Sequence, residues 1–253
     1  MSTAILEIKD VSKAFGGIRV ADAVNLTLHA GRVLGLIGPN GAGKTSLFNL
    51  VCGVVKPDSG QILLEGHPLD GLKTYERARR GLARTWQNIR LFPTLSVMDN
   101  VLIGARDYPG TRLTNILFRA SMVRETARRN REKAHDILDR CGLGDARDKL
   151  VSDLPYGRQK LVGVARALMN DARCLLLDEP MAGVEGQSYA AIQKVVRDVA
   201  ASGIAVGVVE HNVAFVRDLC DEGVFMFSGR ILARGSVEDL IADRQLTELY
   251  FGT

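Results

Sequence analysis

The chain has little of what marks a secreted, metal-held or membrane-embedded protein. Its four cysteines, Cys52, Cys141, Cys174 and Cys220, lie far apart and form no Cys-x-x-Cys pair. That spacing argues against a metal cluster or a disulfide framework. Plain buried thiols are expected instead, since free cysteine packs as a small hydrophobe. Long apolar runs are missing too: Ile204 to Val209 falls far short of the ~20 residues that a membrane-spanning helix needs. The opening Met-Ser-Thr-Ala-Ile-Leu-Glu has no basic stretch followed by a long apolar one. No secretory signal is therefore expected, and the chain is placed in the cytoplasm. Net charge is only +4, too small an excess to imply nucleic acid as a partner. The sequence shows no internal repeat and no low-complexity segment.

What is present reads as an ordinary globular protein, with 46% hydrophobic and 25% charged residues. A length of 253 residues suits one large α/β domain, or one core with a smaller satellite. Short strands with partial alternation are expected at Ile5 to Val11, Val24 to His29 and Gln61 to Glu65, separated by Gly, Asp and Pro breaks. Val33 to Ile37 is almost all apolar, the pattern of a parallel strand covered on both faces.

From about Ala105 to Arg140 the pattern turns helical and basic, which predicts a subdomain inserted into the main sheet. A helix near Gly157, an apolar strand from Cys174 to Leu177, a helix from about Gln187 and a strand from Ile204 to Val209 follow. The tail predicts a hairpin around Ser228-Gly229 and a short helix after Ser236, where Ser236 and Asp239 resemble a capping box. Strands alternating with helices imply a mostly parallel sheet with right-handed crossovers. Two arginine clusters, Arg77, Arg79, Arg80 and Arg84, and Arg119, Arg124, Arg128, Arg129 and Arg131, read as solvated helix faces; a docking surface is the alternative.

Gly38-Pro39-Asn40-Gly41-Ala42-Gly43-Lys44-Thr45 fits the pattern G-x-x-x-x-G-K-[ST], and Ser46 follows it. The motif stands after a buried strand and before an apolar helix containing Leu47, Phe48, Leu50 and Val51. Its glycines let successive N–H groups turn inward toward phosphate oxygens, and the helix adds its positive end. Lys44 is expected to reach the β- and γ-phosphates, and Thr45 to place its hydroxyl on Mg²⁺. The bland alternative is a glycine turn that happens to precede a helix.

Cys174-Leu175-Leu176-Leu177-Asp178-Glu179 is an apolar strand ending in two carboxylates. Asp178 is expected to associate with Mg²⁺, through water, and Glu179 to be the general base for the attacking water. Taken alone the run is a weak signal, because many buried strands end in acidic turns.

Between these two motifs lies Leu154-Pro155-Tyr156-Gly157-Arg158-Gln159, followed by Lys160-Leu161-Val162-Gly163-Val164-Ala165-Arg166-Ala167-Leu168. This stretch resembles the signature motif and helix of ABC ATPases. In that family the signature normally reads Leu-Ser-Gly-Gly-Gln and binds the γ-phosphate of ATP held by the opposite subunit. Three further residues fall in the family's order. Gln87 resembles the Q-loop glutamine, which senses Mg²⁺ and water. His211, in Val208-Val209-Glu210-His211, resembles the switch histidine at the γ-phosphate. Phe15 stands where the family stacks an aromatic on adenine. Ala182-Gly183-Val184-Glu185 occupies the D-loop position. Read singly, His211 is a histidine at a strand end and Phe15 a core residue.

More narrowly, Arg84-Thr85-Trp86-Gln87-Asn88-Ile89-Arg90-Leu91-Phe92, the Tyr-Gly signature and the ending Glu248-Leu249-Tyr250-Phe251-Gly252 resemble the branched-chain amino acid uptake group. Related ATPases for urea or amides and for lipopolysaccharide export share much of this pattern.

The resemblance implies an α/β P-loop NTPase fold, a mostly parallel sheet with an antiparallel β subdomain and an inserted helical subdomain. It makes residues 1–253 one ABC ATPase domain, with 1–104 and 154–253 as ATP-binding core plus β subdomain and 105–153 as helical subdomain. The implied nucleotide-binding residues are Phe15, Gly38 to Ser46, Gln87, Asp178 and, across a dimer, Pro155, Tyr156, Gly157 and Arg158. Thr45, Gln87 and Asp178 are implied at Mg²⁺, and Glu179, His211 and Gln87 in catalysis. The implied partners are a second ATP-binding subunit, identical or not, transmembrane permease subunits and, indirectly, a solute-binding protein, with no nucleic acid. The chain would then sit peripherally on the inner face of the membrane, with either arginine cluster aiding the docking.

Two departures bear on activity. Pro155 replaces the signature serine and brings neither a hydroxyl nor an N–H donor, although proline suits the first turn of a helix. Losing charge-assisted hydrogen bonds of ~1.5–3 kcal/mol each predicts a slow ATPase. Arg158 in place of glutamine would add positive charge toward the partner's phosphates, and Glu185 stands where aspartate is usual. The alternatives are a non-transport ABC ATPase acting on DNA or ribosomes, and a catalytically weakened ATP-binding module.

Overall fold

Two kinds of strand pattern produce two sheets in the computed structural model, which describes residues 3–184 and 186–251. The chain opens with β1 (Ala4–Phe15), β2 (Ile18–His29), β3 (Val33–Ile37), α1 (Lys44–Val51), β4 (Ser59–Leu64), β5 (His67–Pro68), α2 (Thr74–Arg79) and β6 (Leu82–Arg84). Four helices follow, α3 (Val97–Leu102), α4 (Leu113–Phe118), α5 (Ala120–Arg140) and α6 (Tyr156–Leu168). The last part holds β7 (Cys174–Asp178), α7 (Gln187–Ala201), β8 (Ala205–Val209), α8 (Val213–Leu219), β9 (Glu222–Phe227), β10 (Arg230–Gly235), α9 (Val237–Ala242) and α10 (Arg244–Phe251).

The chain divides into two compact units: Met1–Gln87, Arg173–Ala182 and Val196–Thr253 form the first, and Asn88–Ala172 with Gly183–Val195 the second. The helical unit thus takes in more than residues 105–153, including the whole of α6.

In the first unit a six-stranded sheet runs β10–β9–β3–β8–β7–β6. Strands β9, β3, β8, β7 and β6 are parallel neighbours, and β10 closes one edge as an antiparallel hairpin with β9. Every residue of β3, β7 and β8 is buried, which is why these three read as apolar runs, broken only by Asp178 at the end of β7. The second sheet, β2–β1–β4–β5, is antiparallel throughout and supplies the alternating segments. Leu28 of β2, Phe48 of α1 and Leu176 of β7 share one buried core cluster. The fold is therefore the expected mostly parallel α/β sheet with an antiparallel β subdomain and a helical one.

One arginine cluster is not a solvated face. Arg77 is 4% exposed. Its Nη1 donates to the carbonyls of Leu50 (3.0 Å) and Val51 (2.7 Å), and Nε to that of Leu72 (3.2 Å). Leu50 and Val51 end α1, whose terminal carbonyls lack intrahelical partners and carry the helix's partial negative charge, so a buried cation is favourable there. Arg84 is likewise buried. Arg79 and Arg80 remain exposed.

The second unit is helical. On α5 only Ala134, Ile137 and Leu138 are buried, while Arg128 and Arg129 pair with Glu125 across solvent. That half of the arginine reading holds. Asn100 of α3, fully buried, takes the N–H of Phe92 and donates to the carbonyls of Phe92, Leu95 and Ser96, fixing the turn that precedes its helix. Among the described residues no helix is long and apolar enough to cross a membrane.

Candidate active site

The C-terminal ends of β3, β7 and β8 lie side by side, because Val209 pairs with both Leu36 and Asp178. Each strand runs out into chemistry: Gly38–Thr45 after β3, Glu179 after β7, Glu210 and His211 after β8. A parallel sheet gathers its functional loops at this edge.

Gly43 caps α1 in the left-handed region at φ 104°, and a Cβ there would run into the Val20 carbonyl of β2. Only glycine lets the loop close onto the helix at this point. No side chain caps α1 and no acidic residue stands in its first turn, so the positive end of the helix faces the loop. Asn40 and Gly41 are exposed at the loop tip, Pro39 and Ser46 are half-buried, and buried Ala42 donates its N–H to the Pro39 carbonyl at 3.2 Å. Lys44 is buried, with Nζ donating to the carbonyls of Gly38 (2.7 Å) and Pro39 (2.9 Å). Burial pushes its pKa down, against the pull of Glu179 and Asp178.

Thr45 Oγ1 lies 3.3 Å from Asp178 Oδ1. A hydroxyl and a carboxylate oxygen converging at a phosphate loop are hard donors of the kind Mg²⁺ takes, so these residues fit that ion. The other oxygen of Asp178, Oδ2, is held at 2.6 Å by Arg84 Nη2. Arg84 also donates from Nη1 to Asn49 Oδ1 (2.7 Å), and its guanidinium stacks 4.4 Å from the centre of the Trp86 ring.

Glu179 takes a left-handed backbone at φ 47°, a conformation that costs a non-glycine residue ~1–3 kcal/mol. Its N–H donates to the Val209 carbonyl at 2.8 Å, which ties it to β8. Gln87 Nε2 donates to one oxygen of its carboxylate at 2.6 Å, and His211 Nε2 lies 2.9 Å from the other. The carboxylate is thus gripped from both sides, by the residues that resemble the Q-loop glutamine and the switch histidine.

The other site residues are arranged as follows. Phe15 is 48% exposed at the end of β1, with Lys13 Nζ 5.2 Å from its ring centre, so it is not a core residue. Pro155 is the N-cap of α6 (φ −54°, ψ 147°), and its carbonyl accepts the N–H of Arg158 (2.9 Å) and Gln159 (3.1 Å). Tyr156 is exposed. A Cβ on Gly157 would collide with the side chain of Ser188 within the same unit, so glycine is required there for packing. Arg158 is committed to Asp145, with Nη1 3.1 Å from Oδ2 and Nη2 on Oδ1, so the expected extra charge is met inside the helical unit. Ala182 and Gly183 are exposed; Glu185 lies outside the described residues.

Two site residues escaped the sequence reading. Arg84 sits among three other arginines with nothing local to single it out. Glu210 had a usable signal: like Asp178, it is a carboxylate at the end of an unbroken apolar strand. It is 4% exposed and accepts N–H bonds from Met181 (2.6 Å), His211 (3.0 Å) and Asn212 (3.2 Å). Burial pushes its pKa up, these three donors pull it down, the nearby Glu179 raises it, and the net shift is upward.

A glycine loop between a buried parallel strand and a helix, with Lys44, Thr45, Asp178 and Glu179 at one sheet edge, defines a P-loop nucleotide hydrolase. The ABC transporter family matches residues 21–182. The chain belongs to that family and is the ATP-binding, ATP-hydrolysing subunit of an ABC transporter. It is similar to the lipopolysaccharide export system ATP-binding protein LptB of Haemophilus influenzae, 32% identical over 98% of both chains. To the high-affinity branched-chain amino acid transport ATP-binding protein BraF of Pseudomonas aeruginosa it is 32% identical, over 100% of this chain and 99% of BraF. LivG of Escherichia coli, of the same description, is 31% identical over the same shares. Among solved structures, an ATP-binding cassette of an ABC transporter in its ADP conformation superposes with a TM-score of 0.86 at 31% identity, over 100% of both chains.

Proposed function

We propose that Glu179 is the general base for ATP hydrolysis in a head-to-tail dimer with a second ATP-binding subunit. The cycle would drive uptake of branched-chain amino acids or related amides. The observation that carries the catalytic reading is the grip of Gln87 and His211 on the Glu179 carboxylate beside the phosphate loop. A carboxylate held on both oxygens is aimed at one position, and catalysis of phosphoryl transfer is mostly positioning and electrostatics.

Lys44 and the N–H groups of Gly38–Thr45 would bind the β- and γ-phosphates, with Ser46 next in the helix and Phe15 against adenine. Thr45, Asp178 and Gln87 would hold Mg²⁺, which when bound neutralises phosphate charge. Glu179 accepts the proton of the attacking water, and His211 contacts the γ-phosphate. Pro155, Tyr156, Gly157 and Arg158 would face the nucleotide of the partner subunit. Closure and reopening of the dimer would act on permease subunits in the membrane, and through them on a solute-binding protein, with this chain on the inner face. A Glu179→Gln variant should bind ATP as tightly as wild type, hydrolyse it at least about a hundredfold more slowly and accumulate as a dimer. Hydrolysis at the normal rate would remove Glu179 as the base.

Uptake of branched-chain amino acids rests on the Arg84–Phe92 segment and the Tyr-Gly signature. The equal identity to LptB favours lipopolysaccharide export as a second reading. Deleting the chain in its own cell distinguishes them. Lost uptake of labelled leucine, isoleucine and valine supports the first; normal uptake with depleted surface lipopolysaccharide supports the second.

A further inference from the structure

The histidine that meets Glu179 is aimed through its own main chain, and both polar groups of that peptide residue are occupied. The His211 N–H donates to Glu210 Oε2 at 3.0 Å, and the His211 carbonyl accepts the hydroxyl of Tyr250 at 3.0 Å. Glu210 reaches further with its other oxygen, which takes the Met181 N–H at 2.6 Å. Met181 lies two residues beyond Glu179. One buried carboxylate therefore bonds both the segment that carries the base and the segment that carries the histidine. Tyr250 comes from α10, the last helix, and its ring packs against Phe225 of β9 with 6.5 Å between centroids. Glu210 and Tyr250 both bond the backbone that presents His211 Nε2 to the Glu179 carboxylate.

We propose that Glu210 and Tyr250 are positioning residues for hydrolysis, which hold the His211 main chain so that its ring stays on Glu179; this rests on the catalytic reading of His211 above. A peptide held at both its N–H and its carbonyl has little freedom to swing, so the imidazole needs only its own two side-chain torsions set. Removing the tyrosine hydroxyl frees the carbonyl end while the ring keeps its packing. Replacing Glu210 by glutamine exchanges one acceptor oxygen for an NH₂ group, which cannot accept from Met181 or from His211 and Asn212. The link between the two segments is then broken on one side.

The test compares purified full-length wild type with His211→Ala, Tyr250→Phe, Glu210→Gln and the double variant His211→Ala/Tyr250→Phe, by steady-state ATPase kinetics, ATP binding and thermal melting. The expected result is a kcat roughly fivefold lower for Tyr250→Phe, which loses one hydrogen bond, and roughly tenfold lower for Glu210→Gln, which loses at least one. KM should stay at its wild-type value, and Tyr250→Phe should melt as wild type does. The double variant should be no slower than His211→Ala alone, the mark of a tyrosine that acts on hydrolysis through His211. Wild-type kcat in Tyr250→Phe beside an inactive His211→Ala overturns this inference alone. Wild-type activity in His211→Ala overturns the catalytic reading and this inference with it.

Discussion

Arg84 and Asp178 form an ion pair sealed inside the first unit, with 2.6 Å between Nη2 and Oδ2 and only 4% and 3% of the two side chains exposed. The same guanidinium bonds Asn49 of α1, so one cation ties the helix that follows the phosphate loop to the acidic end of β7.

Breaking one side of a buried pair leaves an uncompensated charge, which typically costs about 3–5 kcal/mol. Arg84→Met should therefore lower the melting temperature strongly. Arg84→Lys keeps the charge but not the two-pronged contact to Asp178 and Asn49, so its loss should be smaller. Adding Asp178→Asn to Arg84→Met removes the stranded carboxylate and should recover much of the stability. Differential scanning calorimetry on the three variants checks this. Strictly additive losses in the double variant would show that the pair is not coupled.

The signature proline makes a separate prediction. Pro155 already has the extended ψ of an N-cap, a geometry that serine adopts without strain. Serine there would cap α6 with its hydroxyl, worth about 0.5–2 kcal/mol, and restore a hydroxyl and an N–H toward a partner's nucleotide. Pro155→Ser should raise the ATPase rate by about tenfold and lower the protein concentration at which ATP induces dimerisation. If rate and dimerisation both stay the same, Pro155 is not what limits the site.

Thiol chemistry should follow burial. Burial pushes Cys141 and Cys220 up to about 12, and raises Cys174 and Cys52 as well. The thiolate is the reactive form, so a raised pKa means less of it at any given pH. A thiol moved from ~9 to ~12 has about a thousandfold less thiolate at pH 8. Iodoacetamide at pH 8 should label the native protein far more slowly than the denatured one, and faster as pH rises while the fold persists. Rapid labelling of one cysteine in the native protein at pH 8 would show that its surroundings are open to solvent.

Much of the fold was legible because β3, β7 and β8 are buried on both faces, which makes them apolar throughout except for Asp178 at the functional end of β7. Strand β6 has three residues and α3 six, too few for a period to register, and both went unread. Strand β10 alternates and pairs around Ser228-Gly229 with β9, as the turn residues predict. The hydrogen bond from the Asp239 N–H to Ser236 Oγ likewise follows its local signal. The arginine cluster around Arg77 and Arg84 could not be read, since nothing nearby in sequence reveals that α1's terminal carbonyls and Asp178 lie within reach.

The sequence by itself determined the chemistry present: a glycine loop with Lys44 and Thr45, a strand ending in Asp178 and Glu179, a histidine after a third strand. These are local patterns, dictated by what a phosphate loop and a buried strand require of their own residues. Only the tertiary structure decided which atoms meet. The pairing of β7 with β8 sets Val209 beside Asp178, and from that register follow the bonds from the Glu179 N–H to the Val209 carbonyl and from the Met181 N–H to Glu210. Gln87, His211, Arg84 and Tyr250 arrive from segments as much as 166 residues apart (Arg84 to Tyr250), and no local pattern encodes a contact between groups that only folding brings together.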